Sequence, residues 1–544
     1  MLLVLMAMLA LQQGDFVQCT RVLRTLTGEA PGDQFGWVSA PVPDVNGDGR
    51  EELLVGAPFH ASGGANAGRV YLFDLAGGLE LFHADGRTAQ ERLGHSLRAA
   101  GDLDQDAITD VIAGGPGGAG TSGAGRVFSG TSGVELLAIT FGSAGTGFGS
   151  AVDGVGDVDG DGVVDFAVGA PLDDAGGADA GRVFVVSGAD GATVLRSFTG
   201  TASGANLGMA LGRLSDLSGD GIAELLVGAP NAGASGGGRA YVFDLATGAL
   251  HFPELVPDAS AGEFGKFFAS EVGRVNADLV PDFYVGDFAD NGTRGKAYVF
   301  DGASGARIWT FTGQSGDGFG IGRGLGDTNG DGRADLVFGS WTNSGGATRA
   351  GRLEVFSGAD ASRLRRVTST TANEALGFDA HGLADLDGDG RPELVGTAAS
   401  YANGRGRVYV IADRPLETLG LGLAGAGGAV PALELGGCPR LGASVTLELA
   451  NAVGGAAGTL YVGTSRRDRA VRGGVLHPFG LILRQGFVAG GSSGVPASGT
   501  FSLPVALPVD PALAGLSFHA QALVADAAAP AGLAFTPGLR LTLY

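Results

Sequence analysis

Only two cysteines occur in 544 residues, Cys19 and Cys438, which excludes a small disulfide scaffold. Charged residues are scarce at 17%, and Lys and Arg (35) are outnumbered by Asp and Glu (57). The net charge of −22 excludes nucleic acid and anionic membranes as partners without bridging cations. Long apolar runs are missing too. The longest, Met1 to Leu11, is too short to span a bilayer and reads as the core of an export signal over residues 1–14, without a basic start or a clear cleavage site. No stretch keeps a helical period, which argues against crossover helices and a parallel α/β sheet. Neither a G-x-S-x-G elbow nor an H-E-x-x-H helix is present, and the seven histidines stand at non-equivalent places. What abounds is glycine, 102 residues, in a chain whose 44% apolar content argues against disorder.

Glycine and acid recur together. The nonapeptide Asp157-Val158-Asp159-Gly160-Asp161-Gly162-Val163-Val164-Asp165 has counterparts starting at Asp44, Asp102, Asp216, Arg274, Asp327 and Asp385, in steps of 53 to 59 residues. A supersecondary unit recurring at that period predicts a repeat architecture, so a chain of this length divides into the array and a second domain. The third unit is clearest. Phe148 to Val152 opens a strand, the acidic loop follows, and Phe166 to Pro171, Gly181 to Val186 and Val194 to Gly200 supply three more, giving four strands per unit. Other units keep the landmarks: Phe35-Gly36 or Leu93-Gly94 before the loop, Gly56-Ala57-Pro58 or Gly228-Ala229-Pro230 after it, then Gly68-Arg69-Val70-Tyr71 or Gly406-Arg407-Val408-Tyr409.

This combination resembles the FG-GAP repeats of integrin α-subunit propellers and their secreted bacterial relatives. The resemblance covers about residues 20–416 and implies an all-β fold, a seven-bladed β-propeller of four-stranded blades carrying Ca²⁺ in the loop between strands one and two. The last unit lacks a fourth strand, whereas Val22 to Gly28 is nearly identical to Val194 to Gly200. Residues 22–27 are therefore expected to complete blade seven and close the ring.

Ca²⁺ takes six to eight oxygens, which side chains at loop positions 1, 3, 5 and 9 plus the carbonyl of position 7 can supply. The expected ligands are Asp44, Asn46, Asp48, Arg50 (carbonyl) and Glu52 in loop one. Loop two offers Asp102, Asp104, Asp106, Ile108 (carbonyl) and Asp110, and loop three Asp157, Asp159, Asp161, Val163 (carbonyl) and Asp165. Loop four has Asp216, Ser218, Asp220, Ile222 (carbonyl) and Glu224. Loop six has Asp327, Asn329, Asp331, Arg333 (carbonyl) and Asp335, and loop seven Asp385, Asp387, Asp389, Arg391 (carbonyl) and Glu393. EF-hand and dockerin readings fail because the flanks are strands, and Val55 and Val168 stand where an EF-hand needs Glu. Ala107 replaces the position-6 glycine of loop two and is expected to strain its bend. Arg274 occupies position 1 of loop five, where it repels a cation and could pair with Asp278 or Asp282, so up to six structural Ca²⁺ are expected and none in blade five.

Residues 417–431 read as a Gly-rich linker and 432–544 as a β-sandwich-like domain of unread function. Its basic cluster, Arg466, Arg467, Arg469 and Arg472, reads as a solvated loop, with an acidic glycan as the sharper alternative. Cys438 opens this domain and Cys19 precedes the closing strand. A disulfide joining them in an oxidising compartment and a pair of free thiols both stay open. The loops between strands two and three offer Phe59, Phe288, Trp341 and Tyr401 as aromatic anchors, too irregular for one equivalent site per blade. Together these features predict a secreted or cell-surface, calcium-stabilised module that binds an extracellular protein or glycan and is not an enzyme. The alternatives are a lectin and a polysaccharide-acting enzyme on a propeller scaffold.

Overall fold

The computed structural model describes residues 16–543 except 119, 142, 413–415, 420–421, 437, 440, 472–473 and 514–515. The expected signal segment and Arg472 thus lie outside the described residues. Two compact units emerge, one containing Val22–Asp413 and the other Cys19–Arg21 with Arg414–Tyr544.

The first unit holds seven antiparallel sheets, here called blades one to seven in chain order. Blade three shows the plan: Val152–Gly156, Asp165–Ala170, Arg182–Val186 and Val194–Thr199 pair in sequence order. Its second strand is buried along its whole length, as is every second strand in the array, for example Glu52–Ala57 and Glu224–Ala229. Flanked on both faces by neighbouring blades, such a strand reads as a continuous apolar run and not as an alternation. The rim strand Val194–Thr199 is largely exposed and carries polar residues.

Glycine sets how closely blades approach. The Gly of each Phe/Leu-Gly pair has a left-handed backbone, from φ 80° at Gly36 to φ 110° at Gly320. In blades two to seven it sits against a glycine in the second strand of the preceding blade, so that a Cβ on Gly169 would collide with the carbonyl of Gly208, whereas Gly36 meets Thr397 of blade seven. Seven apolar clusters fill the blade boundaries, each joining two consecutive blades. The last joins Phe35, Leu53 and Val55 of blade one to Leu383, Val395 and Val408 of blade seven. The array is therefore a closed ring, a β-propeller. Val22–Thr27 occupies the outer position of blade seven, antiparallel to Arg407–Ile411. Upstream of it, Phe16 bridges Ser369 and packs edge-on to Tyr409, a contact the sequence did not announce.

Blade four departs from the four-strand expectation. It has three strands, and its rim is reduced to the bridges Ala240 with Leu255 and Phe243 with Leu250. Pro253 lies within this segment and Pro257 just beyond it; proline has no N–H to donate and interrupts the ladder.

The second unit has two sheets that share one apolar cluster, in which Leu447 and Leu449 of one sheet meet Leu460, Ala520, Ala522 and Val524 of the other. A hairpin of two 15-residue strands, Ala457–Val471 and Gly474–Val488, extends one sheet. The start of the expected linker is corrected: Leu416–Leu419 is a strand paired with Gly538–Thr542, because an edge with free backbone groups is there to receive it. Cys19 and Cys438 are joined by a disulfide, with Cα atoms 5.2 Å apart, so the free-thiol alternative falls. Arg466 pairs with Asp468 at 2.9 Å, and Asp468 also accepts a 2.8 Å bond from His477 Nδ1.

Candidate metal-binding loops

Each acidic loop is a tight turn built around its own carboxylates. In loop one, Asp44 accepts the backbone N–H groups of Gly47 at 2.6 Å and Gly49 at 2.8 Å, and the same pattern repeats at Asp157, Asp216, Asp327 and Asp385. The bend needs left-handed backbone at positions 4 and 6, met by glycine in loops one, three, four, six and seven, for example Gly47 and Gly49 at φ 82° and 81°. Sequence reading singled out position 6 and missed position 4. Loop two forces Gln105 (φ 62°) and Ala107 (φ 68°) into this region, where an L side chain is strained.

The position-9 carboxylate has a structural duty as well. Asp165 is fully buried, accepts the Val158 N–H at 2.7 Å and the Gly188 N–H at 3.0 Å, and so ties the loop to the turn between strands three and four. Asp110 and Asp282 make the corresponding pairs of bonds. Burial pushes Glu52 up to about 7 and Glu393 up to about 8, with neighbouring loop acids adding to the rise, and burial also raises Asp110, Asp165, Glu224, Asp282 and Asp335. Position 1 is held the other way. The Gly49 and Gly221 N–H groups lower Asp44 and Asp216.

In four loops three carboxylates converge so that one oxygen from each lies within 4.8 Å of the others: Asp44, Asp48 and Glu52; Asp102, Asp104 and Asp110; Asp157, Asp159 and Asp165; Asp385, Asp387 and Glu393. Two oxygens across a Ca²⁺ ion with bonds of about 2.4 Å are separated by about 4.8 Å, so the spacing fits a hard, oxygen-ligated cation. The acids of loops four and six do not converge in this way. Ser218 and Asn329 take position 3 there, and the Asn329 amide instead bonds Asp331 at 2.9 Å.

Loop five is built differently. Neither Ala277 nor Leu279, at positions 4 and 6, adopts left-handed backbone. The expected pairing of Arg274 with Asp278 or Asp282 is not formed among the described residues. Asp282 is satisfied by backbone N–H groups and by the Asn276 amide, which also bonds Asp301 at 3.1 Å.

The residues at position 7 entered the sequence reading only as carbonyl donors. Three of them reach the loop before their own: Arg50 bonds the Asp385 carbonyl, Arg333 the Asn276 carbonyl, and Arg391 the Thr328 carbonyl at 2.5 Å. These links give basic side chains a place in a strongly acidic ring of loops.

Comparison with known proteins agrees with this construction. The FG-GAP repeat model matches residues 35–73, 148–186, 208–243 and 382–411, and an FG-GAP-like repeat model matches 327–396. The matched stretches leave out loops two and five, the two that depart from the glycine pattern. Integrin alpha-IIb of Homo sapiens is 38% identical over 166 residues, covering 27% of this chain and 16% of that protein. Integrin alpha-11 of Homo sapiens is 35% identical over 159 residues, covering 27% and 13%. The match thus spans about a seventh of the length of these relatives. A solved structure described as the Dos1 propeller aligns over 74% of this chain and 81% of that one, at 11% identity and a TM-score of 0.40. No described helix is long and apolar enough to cross a membrane. The chain carries FG-GAP repeats and folds as an FG-GAP β-propeller, similar in its repeats to those of integrin α-subunits.

Proposed function

We propose that the chain is an exported binding or surface-adhesion module whose propeller, Val22–Asp413, is stabilised by Ca²⁺ in the loops between strands one and two, and whose second unit takes Arg414–Tyr544. The observation that carries the reading is the convergence of three carboxylate oxygens in each of four loops, on an FG-GAP scaffold. Loops four and six complete their sets with Ser218 and Asn329, giving up to six ions, and loop five takes none. Bound Ca²⁺ supplies positive charge to loops that otherwise repel themselves. The chain's own part is to hold each carboxylate in place, position 1 through backbone N–H groups and position 9 through burial and two further N–H groups. Millimolar extracellular Ca²⁺ suits sites with dissociation constants of roughly 10⁻⁴ to 10⁻³ M, which agrees with export. A binding role agrees with the loops between strands two and three, which lie at the strand ends away from the metal loops.

Screening the Ca²⁺-loaded protein against immobilised glycans and extracellular matrix proteins, with the same polysaccharides assayed for cleavage, tests the reading. Saturable binding without turnover is expected. Binding confined to glycans would favour the lectin alternative, and polymer cleavage would replace the binding module with an enzyme.

A further inference from the structure

At the strand ends away from the metal loops, all seven blades contribute side chains to one cavity on the propeller axis, of about 180 Å³. Trp37, His95, Ser150, Met209, Ile321 and Phe378 reach it from the position just after the Phe/Leu-Gly pair of blades one, two, three, four, six and seven. Blade five does something else. It has ten residues from Phe264 to loop position 1, where blades one to four and seven otherwise have nine, and the added residue brings Phe267 to the cavity at φ 63°. A bulky residue in left-handed backbone is costly, and such strain persists where surrounding structure holds it, typically at binding sites.

The wall is aromatic. Trp37 lies 4.9 Å from Phe378 and 5.5 Å from His95, Trp341 lies 5.8 Å from Phe378, and Phe267 lies 6.2 Å from His95, all as ring-centroid distances. The Trp341 indole N–H is buried and has no acceptor among the described residues. Two guanidinium groups, Arg98 and Arg323, line the same cavity and the channel below it. Arg323 is engaged, donating to the Ser39 carbonyl at 2.8 Å and facing Asp379 at 3.3 Å. Arg98 is held less tightly. Its one hydrogen bond goes to the Leu97 carbonyl, its Nε stands 3.9 Å from Asp153, and Asp379, which Arg323 already holds, acts on it only through charge. Burial and the nearby Arg323 push Arg98 down to about 10 against the opposing pull of Asp153 and Asp379, so it stays cationic at neutral pH. Asp153 is itself occupied by the Arg213 N–H at 2.9 Å. Burial holds His95 down to about 4, so it adds no charge.

We propose that this axial cavity binds a small aromatic carboxylate, its ring held among Trp37, Phe267, Trp341 and Phe378 and its carboxylate on the free donors of Arg98. An apolar cavity of about 150 Å³ is enough for a benzene ring, and a guanidinium with unused N–H groups matches a carboxylate fork. A cationic ligand would face two guanidinium groups without a free acid. This names the ligand class of the binding module proposed above and rests on that reading, but not on the metal loops.

Benzoate and its cationic isostere benzamidine, titrated into the full-length Ca²⁺-loaded protein and followed by tryptophan fluorescence and calorimetry, decide the matter. Saturable benzoate binding at millimolar concentrations or below is expected, with benzamidine at least about tenfold weaker, and with Arg98→Gln weakening benzoate by about tenfold or more. Arg98→Lys is expected to keep part of the affinity, and Trp341→Leu to weaken binding with Arg98 intact should the Gln variant not fold. No saturable benzoate binding, equal binding of benzamidine, or an Arg98→Gln variant that folds and binds normally would each overturn the proposal. Absence of benzoate binding by the unsubstituted protein with an intact Ca²⁺-dependent melt refutes only the cavity, whereas the reverse outcome refutes only the metal reading.

Discussion

Gly169 and Gly208 face each other across the boundary between blades three and four with no room for a methyl group. Gly169→Ala is expected to destabilise the protein by about 1–3 kcal/mol, as overpacking does, measured as a lower denaturation midpoint with Ca²⁺ present. The buried loop acids make a second demand at this scale. A carboxyl whose folded-state pKa lies above its unfolded value holds its proton more tightly when folded. Its stabilising contribution is therefore fully present below the unfolded pKa, about 4.5 for Glu, and is lost as pH rises through the folded value. For Glu52 and Glu393 that window runs from about 4.5 to about 7 and about 8. The chelated protein should thus lose stability between pH 5 and 8 through these groups. Ca²⁺ should flatten or reverse the trend, because it favours the ionised form. The lowered position-1 acids, Asp44 and Asp216, act in the opposite sense but are exposed and well screened. A chelated protein whose melting temperature is level across that range would contradict the assignment.

The loop is the element in which sequence and structure speak most directly to each other. Its spacing made positions 1, 3, 5 and 9 legible, because a turn that gathers oxygens leaves a fixed pattern of acids and glycines. Convergence was less legible. Loops one and six both carry Asn at position 3, yet the acids of loop one meet while in loop six the Asn329 amide turns to Asp331. That choice depends on side-chain rotamers and not on spacing. The arginines at position 7 were equally hidden, since their partners lie in another blade, as Arg50 bonds Asp385. The strain at Ala107 was legible from a single missing glycine, although Gln105 shares it. Ala107→Gly is expected to stabilise the protein by about 0.5–1 kcal/mol and to tighten Ca²⁺ binding at loop two, checked by thermal melts at fixed Ca²⁺. An unchanged or lower melting temperature would show that the loop tolerates the strain without cost. Blade four marks the limit of strand counting, for the prolines at 253 and 257 were visible but the remaining bridges could not be placed without the neighbouring strand.

For the whole molecule, closure is what makes local stabilisation count globally. The seven boundary clusters run round the ring without a gap, and Val22–Thr27 pairs with Arg407–Ile411 from the far end of the array. The likeness of Val22 to Gly28 and Val194 to Gly200 was readable because both segments hold the rim position of a blade. The axial cavity was not readable. Trp37, Phe267 and Phe378 look like ordinary strand residues until seven blades bring them to one axis. In a ring where each blade leans on two others, an ion that holds one loop supports the cooperative unit. At a free Ca²⁺ concentration about ten times the dissociation constant, each occupied site adds about 1.4 kcal/mol. The central claim, a propeller held together by Ca²⁺ in its acidic loops, is tested most directly by melting the full-length protein with Ca²⁺ and again after chelation. A fall of several degrees or more on chelation, restored by millimolar Ca²⁺, is the predicted result. A melting temperature unmoved by chelation would contradict it.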